Sequence, residues 1–157
     1  MNNLTLAEQF AKGETSGTGS NMFIDQDTIY SYGRHYKIAV RLNPTQKFSS
    51  NISFVYNPER YSSTTNKHQS YVRSNLQSYI AIPDCNIEEQ FLRDYLNKLK
   101  LEVDEVKAIQ SKLKTKGKRF YQFENKIETM TERVKEVEHF TTALYGGQAI
   151  HFIKEAS

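Results

Sequence analysis

The chain has no tryptophan, a single cysteine and three prolines in 157 residues, and no apolar run approaches the roughly 18 residues that a membrane span needs. Each absence excludes something. Lone Cys85 cannot close an internal disulfide, and with no second cysteine near Pro83-Asp84-Cys85-Asn86 it has no metal-site spacing either, which suits a reducing compartment. The opening residues Met1 to Leu6 show no basic segment followed by an apolar stretch and a cleavage site, so no secretory signal and a cytoplasmic location are expected. No phosphate-binding loop, dinucleotide fingerprint, zinc-finger spacing or nucleophile elbow is present. Between Asp27 and Asp84 the only acid is Glu59, so two-metal chemistry lacks a ligand set there. These silences predict a protein with no metal, no cofactor and no catalytic activity.

What is there is charge in an uneven distribution. The net charge is +3, but residues 1–33 carry net −3, residues 34–82 net +6 and residues 83–157 net zero. The excess comes from Arg34, Lys37, Arg41, Lys47, Arg60, Lys67 and Arg73, a local field that favours a polyanionic partner. Residues 21–85, which contain this stretch, hold seven of the ten tyrosines: Tyr30, Tyr32, Tyr36, Tyr56, Tyr61, Tyr71 and Tyr79. Aromatic rings interleaved with cations can stack unpaired bases while the cations hold phosphates. Alternation assigns Tyr36 and Tyr56 to inward strand faces, which leaves Tyr30, Tyr32 and Tyr61 as surface candidates.

The patterning predicts four segments. Residues 1–20 read as a short helix over Leu4, Leu6, Ala7, Phe10 and Ala11, loosely attached, followed by a flexible linker, Gly13 to Ser20. Residues 21–85 read as an α+β head. Thr28–Tyr32, a strand with Tyr36, Ile38, Val40 and Leu42 alternating against a basic face of His35, Lys37, Ala39 and Arg41, and Ile52–Tyr56 make three or four antiparallel strands. Ser62 to Thr65 offer several N-cap candidates for one covering helix whose inward stripe is His68, Val72, Leu76 and Tyr79, and Ile80–Ile82 could add an edge strand.

Residues 86–145 carry the strongest periodicity. Leu92, Leu96, Leu99, Val103, Val106, Gln110 and Leu113 follow an alternating four-three spacing, and Phe120, Phe123, Ile127, Met130, Val134, Val137, Thr141 and Leu144 repeat it. Two heptad helices, each roughly 40 Å long at about 1.5 Å per residue, joined through Gly117, predict a long antiparallel two-helix coiled-coil hairpin. Its tip gathers Lys112, Lys114, Lys116, Lys118 and Arg119. Gly146-Gly147 would end the second helix, leaving a tail of residues 146–157.

Two chemistries compete for the head. His35 and His68 could act as base and acid in metal-free RNA cleavage, with Thr64 and Thr65 seating a phosphate at a helix start. Alternatively His68 is a satisfied core residue, and the cations Arg34, Lys37, Arg41, Lys67 and Arg73 with Tyr32 and Tyr61 form a binding surface.

The segment Thr28-Ile29-Tyr30-Ser31-Tyr32-Gly33-Arg34-His35, followed by Tyr61-Ser62-Ser63-Thr64-Thr65-Asn66-Lys67-His68-Gln69, resembles a group of small phage and mobile-element proteins in which a YSYG.H hairpin precedes a YS.TT..H helix start. The resemblance covers about fifty residues of the head and brings no established activity. It implies a phage-type accessory protein in a bacterial host cytoplasm. In that setting the expected function is inhibition or regulation of a host nucleic-acid-handling complex, as an anti-CRISPR protein does, by binding the nucleoprotein effector or its nucleic acid. The other expectations are the His35/His68 ribonuclease and a structural homo-oligomer assembled through the hairpin.

Overall fold

A computed structural model describes residues 1–34, 36–42, 52–60 and 62–156, without the side chains of Ser63 and of residues 147–156. His35 and Tyr61 lie outside the described residues. The chain divides into two compact units, Met1–Ile87 and Glu88–Ser157.

In the first unit, helix α1 (Asn3–Ala11) starts where the Asn2 side chain accepts a hydrogen bond of 2.7 Å from the Thr5 N–H. Strands β1 (Ser16–Thr18), β2 (Met22–Asp25), β3 (Thr28–Ser31), β4 (Lys37–Arg41), β5 (Phe54–Tyr56) and β6 (Tyr79–Ala81) form one sheet in chain order. The four pairings from β1 to β5 are antiparallel, while β5 and β6 run parallel. The helix between them, α2 (Ser63–Arg73), is the crossover that a parallel neighbour requires. Its start is capped as the sequence suggests, with Ser62 Oγ accepting from the Thr65 N–H at 3.1 Å.

Met22, Ile24, Ile29, Ala39, Phe54 and Tyr56 pack with Leu6, Ala7 and Phe10 of α1 and with Val72 and Leu76 in one apolar cluster. The architecture is the expected α+β arrangement, and several particulars differ from the sequence reading. The sheet has six strands and is mixed rather than wholly antiparallel, because α2 returns the chain to the same end of the sheet before β6 begins. Two helices contribute to the core rather than one. The N-terminal segment is part of that core: Leu6, Ala7 and Phe10 are fully buried. Gly13 to Ser20 is not a free linker, since it contains β1 and is packed so closely that a Cβ on Gly19 would lie 2.4 Å from Asn3 Oδ1 and one on Gly17 would lie 2.8 Å from Leu6 Cδ1. Glycine is there for close approach rather than for looseness.

The expected basic face of β4 is not an open face either. A register shift at Ile29/Tyr30 interrupts the alternation, Ala39 is buried in the core, and Lys37 and Arg41 are half-buried. Helix α2 ends at Arg73, so Tyr79 opens β6 instead of extending the helical stripe.

The second unit is the helical hairpin. Helix α3 (Glu89–Ser111) and helix α4 (Lys118–Ala156) are in close contact. Near the tip Gln110 reaches Glu124 at 2.7 Å, and ten residues further back along α3 Lys100 pairs with Glu138 at 3.2 Å, so the arms run antiparallel; Arg133 Nη2 also donates to the Tyr95 hydroxyl at 3.2 Å. Every residue of the two heptad series is buried or half-buried, as a two-stranded seam demands. The second arm stops one residue before the expected Gly146-Gly147: the backbone leaves helical geometry at Tyr145 (φ −127°, ψ 24°), and a further helical stretch follows across this kink.

Candidate nucleic-acid interface

The predicted binding and catalytic residues fall into three environments. The first is interior. His68 is 2% exposed; its Nδ1 lies 2.7 Å from Ser31 Oγ and its Nε2 lies 3.3 Å from Asn3 Nδ2. Burial lowers its pKa from the ordinary value of 6.5. A buried ring with both nitrogens engaged is the satisfied core histidine of the alternative reading. Tyr32 covers it from outside, 57% exposed, with ring centroids 5.6 Å apart and a backbone φ of 64°. Thr65, one half of the suggested phosphate seat, is also buried. Cys85 is buried, its thiol points at the carbonyls of Ile38 and Val55, and burial pushes its pKa up to about 12, which leaves it without thiolate character.

Around Cys85 lies a buried polar network that sequence reasoning did not single out. Gln69 Nε2 donates to the Tyr36 hydroxyl (2.9 Å) and to the carbonyls of Asn57 (2.8 Å) and Glu59 (2.7 Å). Asn57 Nδ2 donates to the Lys37 carbonyl at 2.9 Å, and its Oδ1 accepts from the Glu59 and Asp84 N–H groups at 3.1 Å each. The network ties β4, the loop after β5, α2 and the Pro83–Cys85 turn together, and burial raises the Tyr36 pKa to about 12. Its signal in the sequence was only Asn57-Pro58, which reads as a strand stop.

The second environment is the head surface. Arg41 leaves the list of binding candidates: its guanidinium donates to the carbonyls of Phe10 (2.6 Å), Glu14 (3.0 Å) and Gln26 (3.3 Å) and lies 4.7 Å over the Phe10 ring. It anchors α1 to the sheet. Arg34 is exposed but pairs with Asp25 and rests against the stacked rings of Phe23 and Tyr30, at 5.5 and 5.8 Å. Lys67 and Arg73 are exposed and Lys37 half-buried; Arg73 sits in the last turn of α2, where the helix dipole favours a cation. The head cations are therefore spread out and partly committed to structure.

The third environment is the hairpin tip. Lys112, Lys114, Lys116, Lys118 and Arg119 are all exposed, and among the described residues none of them is in an ion pair. From Val106 to Phe123 the chain has no acidic residue. Helix capping accounts for Lys112 at the end of α3. It does not account for Lys118 and Arg119, which occupy the first turn of α4, a turn without acid. There the positive end of the helix dipole repels cations at about 0.3 to 1 kcal/mol each. The tip thus concentrates positive charge at a cost to helix stability.

Aromatic rings support these cations. Lys116 Nζ lies 5.6 Å over Phe120 and the Arg119 guanidinium 5.7 Å over Phe123. Tyr121, which sequence reasoning missed, is 56% exposed and edge-on to Phe120 at 5.5 Å. It was findable, because it lies one step off the seam defined by Phe120 and Phe123 and next to the lysines. Gln110 fixes the register beneath, donating to Glu124 Oε1 at 2.7 Å and to the Phe120 carbonyl at 3.3 Å. Among the described residues no cluster of His, Cys, Asp and Glu is arranged to hold a metal ion.

No protein-family model, no curated protein and no solved structure matches the chain.

Proposed function

We propose that this protein is a non-enzymatic accessory protein of the phage type that binds a host nucleic-acid-handling complex of the CRISPR–Cas kind and inhibits or regulates it in the bacterial cytoplasm. The observation that carries the binding part is the hairpin tip, five exposed cations without an acid, two of them placed where the helix itself disfavours them. The likeness of the head to phage proteins, in the segments around Tyr32 and Thr64, supplies the setting. Lys67 and Arg73, exposed on α2, and Arg34 beside Phe23 and Tyr30 supply further contacts. The burial of His68 and the engagement of both its ring nitrogens count against the ribonuclease reading.

The test compares the protein with a charge-reversed variant carrying Lys114→Glu, Lys116→Glu and Lys118→Glu, each used to capture material from a bacterial lysate with and without nuclease treatment. A nucleoprotein effector retained by the parent and lost by the variant is the expected result. Equal recovery by both removes the tip from the mechanism, and chelator-resistant RNA cleavage abolished by His68→Ala would replace this proposal with the ribonuclease.

A further inference from the structure

We infer that the hairpin tip takes an unpaired nucleic-acid strand, with the Tyr121 ring as the platform on which one base stacks and the tip lysines on the phosphates beside it. The inference rests on the polyanion-binding reading of the tip and deepens it by naming the form of the polyanion. Tyr121 lies in the second half of the first turn of α4, and helical side chains lean toward the N-terminus of their helix, over the residue four positions earlier. That residue is Gly117, which presents no side chain; even a Cβ built there would meet only Thr115 Oγ1, at 3.9 Å. Gly117 therefore adds no side chain on the side toward which the ring leans, and Lys118, three positions earlier, lies on that same side.

Tyr121 is also uncommitted. Phe120 and Phe123 are half-buried and carry Lys116 and Arg119 over their faces, whereas Tyr121 is more than half exposed and, among the described residues, its ring contact is edge-on to Phe120. Its hydroxyl has no hydrogen-bond partner among the described residues. An exposed aromatic ring costs free energy in water unless something covers it. A base in a duplex offers no free face, so a duplex would use the lysines and leave the ring bare. A base in a single strand offers both faces, and stacking on one ring is sequence-tolerant. The charge complementarity is local and complete, because no acid lies within the eighteen residues from Val106 to Phe123.

The experiment measures fluorescence anisotropy of the full-length protein with labelled oligouridine of about 12 nucleotides, within the site sizes of single-strand binders, and with a duplex of the same length. Binding to phosphatidylglycerol vesicles is measured in parallel. The proteins are the parent, Tyr121→Ala, Tyr121→Phe and the triple variant K114E/K116E/K118E. The expected result is tighter binding to the strand than to the duplex. Tyr121→Ala then weakens strand binding by about five-fold or more without changing the duplex, and Tyr121→Phe retains it. Equal loss on strand and duplex, no loss with Tyr121→Ala, or binding to vesicles alone overturns the inference. If Tyr121→Ala is silent while the triple variant loses both nucleic acids, the stacking inference falls and the polyanion reading stands. If the triple variant binds like the parent, the reading of the tip falls as well.

Discussion

Asn3 decides the protonation state of His68. The Asn3 Oδ1 accepts from the Ser20 N–H at 3.0 Å and the Asn21 N–H at 3.4 Å, so the amide nitrogen is the end turned toward His68, where Nε2 must accept. The proton then sits on Nδ1, which donates to Ser31 Oγ. A second proton on the ring would set two donors against each other, in agreement with the burial that lowers the His68 pKa. In the unfolded chain this histidine titrates near 6.5. Below that pH the unfolded state binds a proton that the folded state does not, so stability falls as pH drops through the unfolded value and stops falling once the lower folded pKa is passed. Thermal unfolding between about pH 7.5 and pH 5.5 is expected to show this loss, with a slope of at most about 1.4 kcal/mol per pH unit. A His68→Gln variant is expected to flatten it; an unchanged slope would assign the effect to other groups. Gly19 belongs to the same node, since any side chain there would push Asn3 away from its three partners.

The hairpin shows what a polar residue does inside an apolar seam. The seam positions of α3 are leucine and valine except for Gln110 near the tip, whose amide reaches across to Glu124 and to the backbone of Phe120. Such a layer costs stability and selects one register. Gln110→Leu is expected to raise the melting temperature of the protein by a few degrees, corresponding to about 1 kcal/mol, and to loosen the pairing of the arms. Leu101 and Ile109 are 62% and 47% exposed on α3, so loosened arms have apolar surface through which to associate between chains. Sedimentation velocity checks this: the variant should become concentration-dependent where the parent is not. A concentration-dependent parent would instead support assembly through the hairpin.

Across the whole chain, the nearly balanced net charge of +3 conceals two cation-rich segments and one acidic one, and the two kinds of contact should separate by their response to salt. Strand binding that releases counterions has a logarithmic salt slope of about −0.7 per phosphate contact. The triple reversal at Lys114, Lys116 and Lys118 is therefore expected to reduce the magnitude of the slope by about 2, whereas Lys67→Ala, a single head cation, should change it by less than about 1. A slope that responds only to Lys67, Arg34 and Arg73 would move the interface to the head.

Much of this was legible without coordinates, and the division has a physical cause. Helix and strand periodicity, capping side chains and heptad seams are local patterns, set by neighbours three or four residues apart. The sequence alone therefore determined the α3–α4 hairpin, its seam from Leu92 to Leu144, a helix start within Ser62 to Thr65, the strands around Ile29, Ile38 and Val55, and the cluster of lysines at the tip. Contacts between distant segments leave no such period. Asn3 meets His68 across 65 positions and Arg41 meets Phe10 across 31. Only the tertiary structure could turn a candidate catalytic histidine into a core residue, a candidate binding arginine into an anchor, and an apparent glycine linker into a closely packed strand beside α1. The parallel placement of β6 belongs with them, because it depends on α2 carrying the chain back to the same end of the sheet, not on any residue within β6.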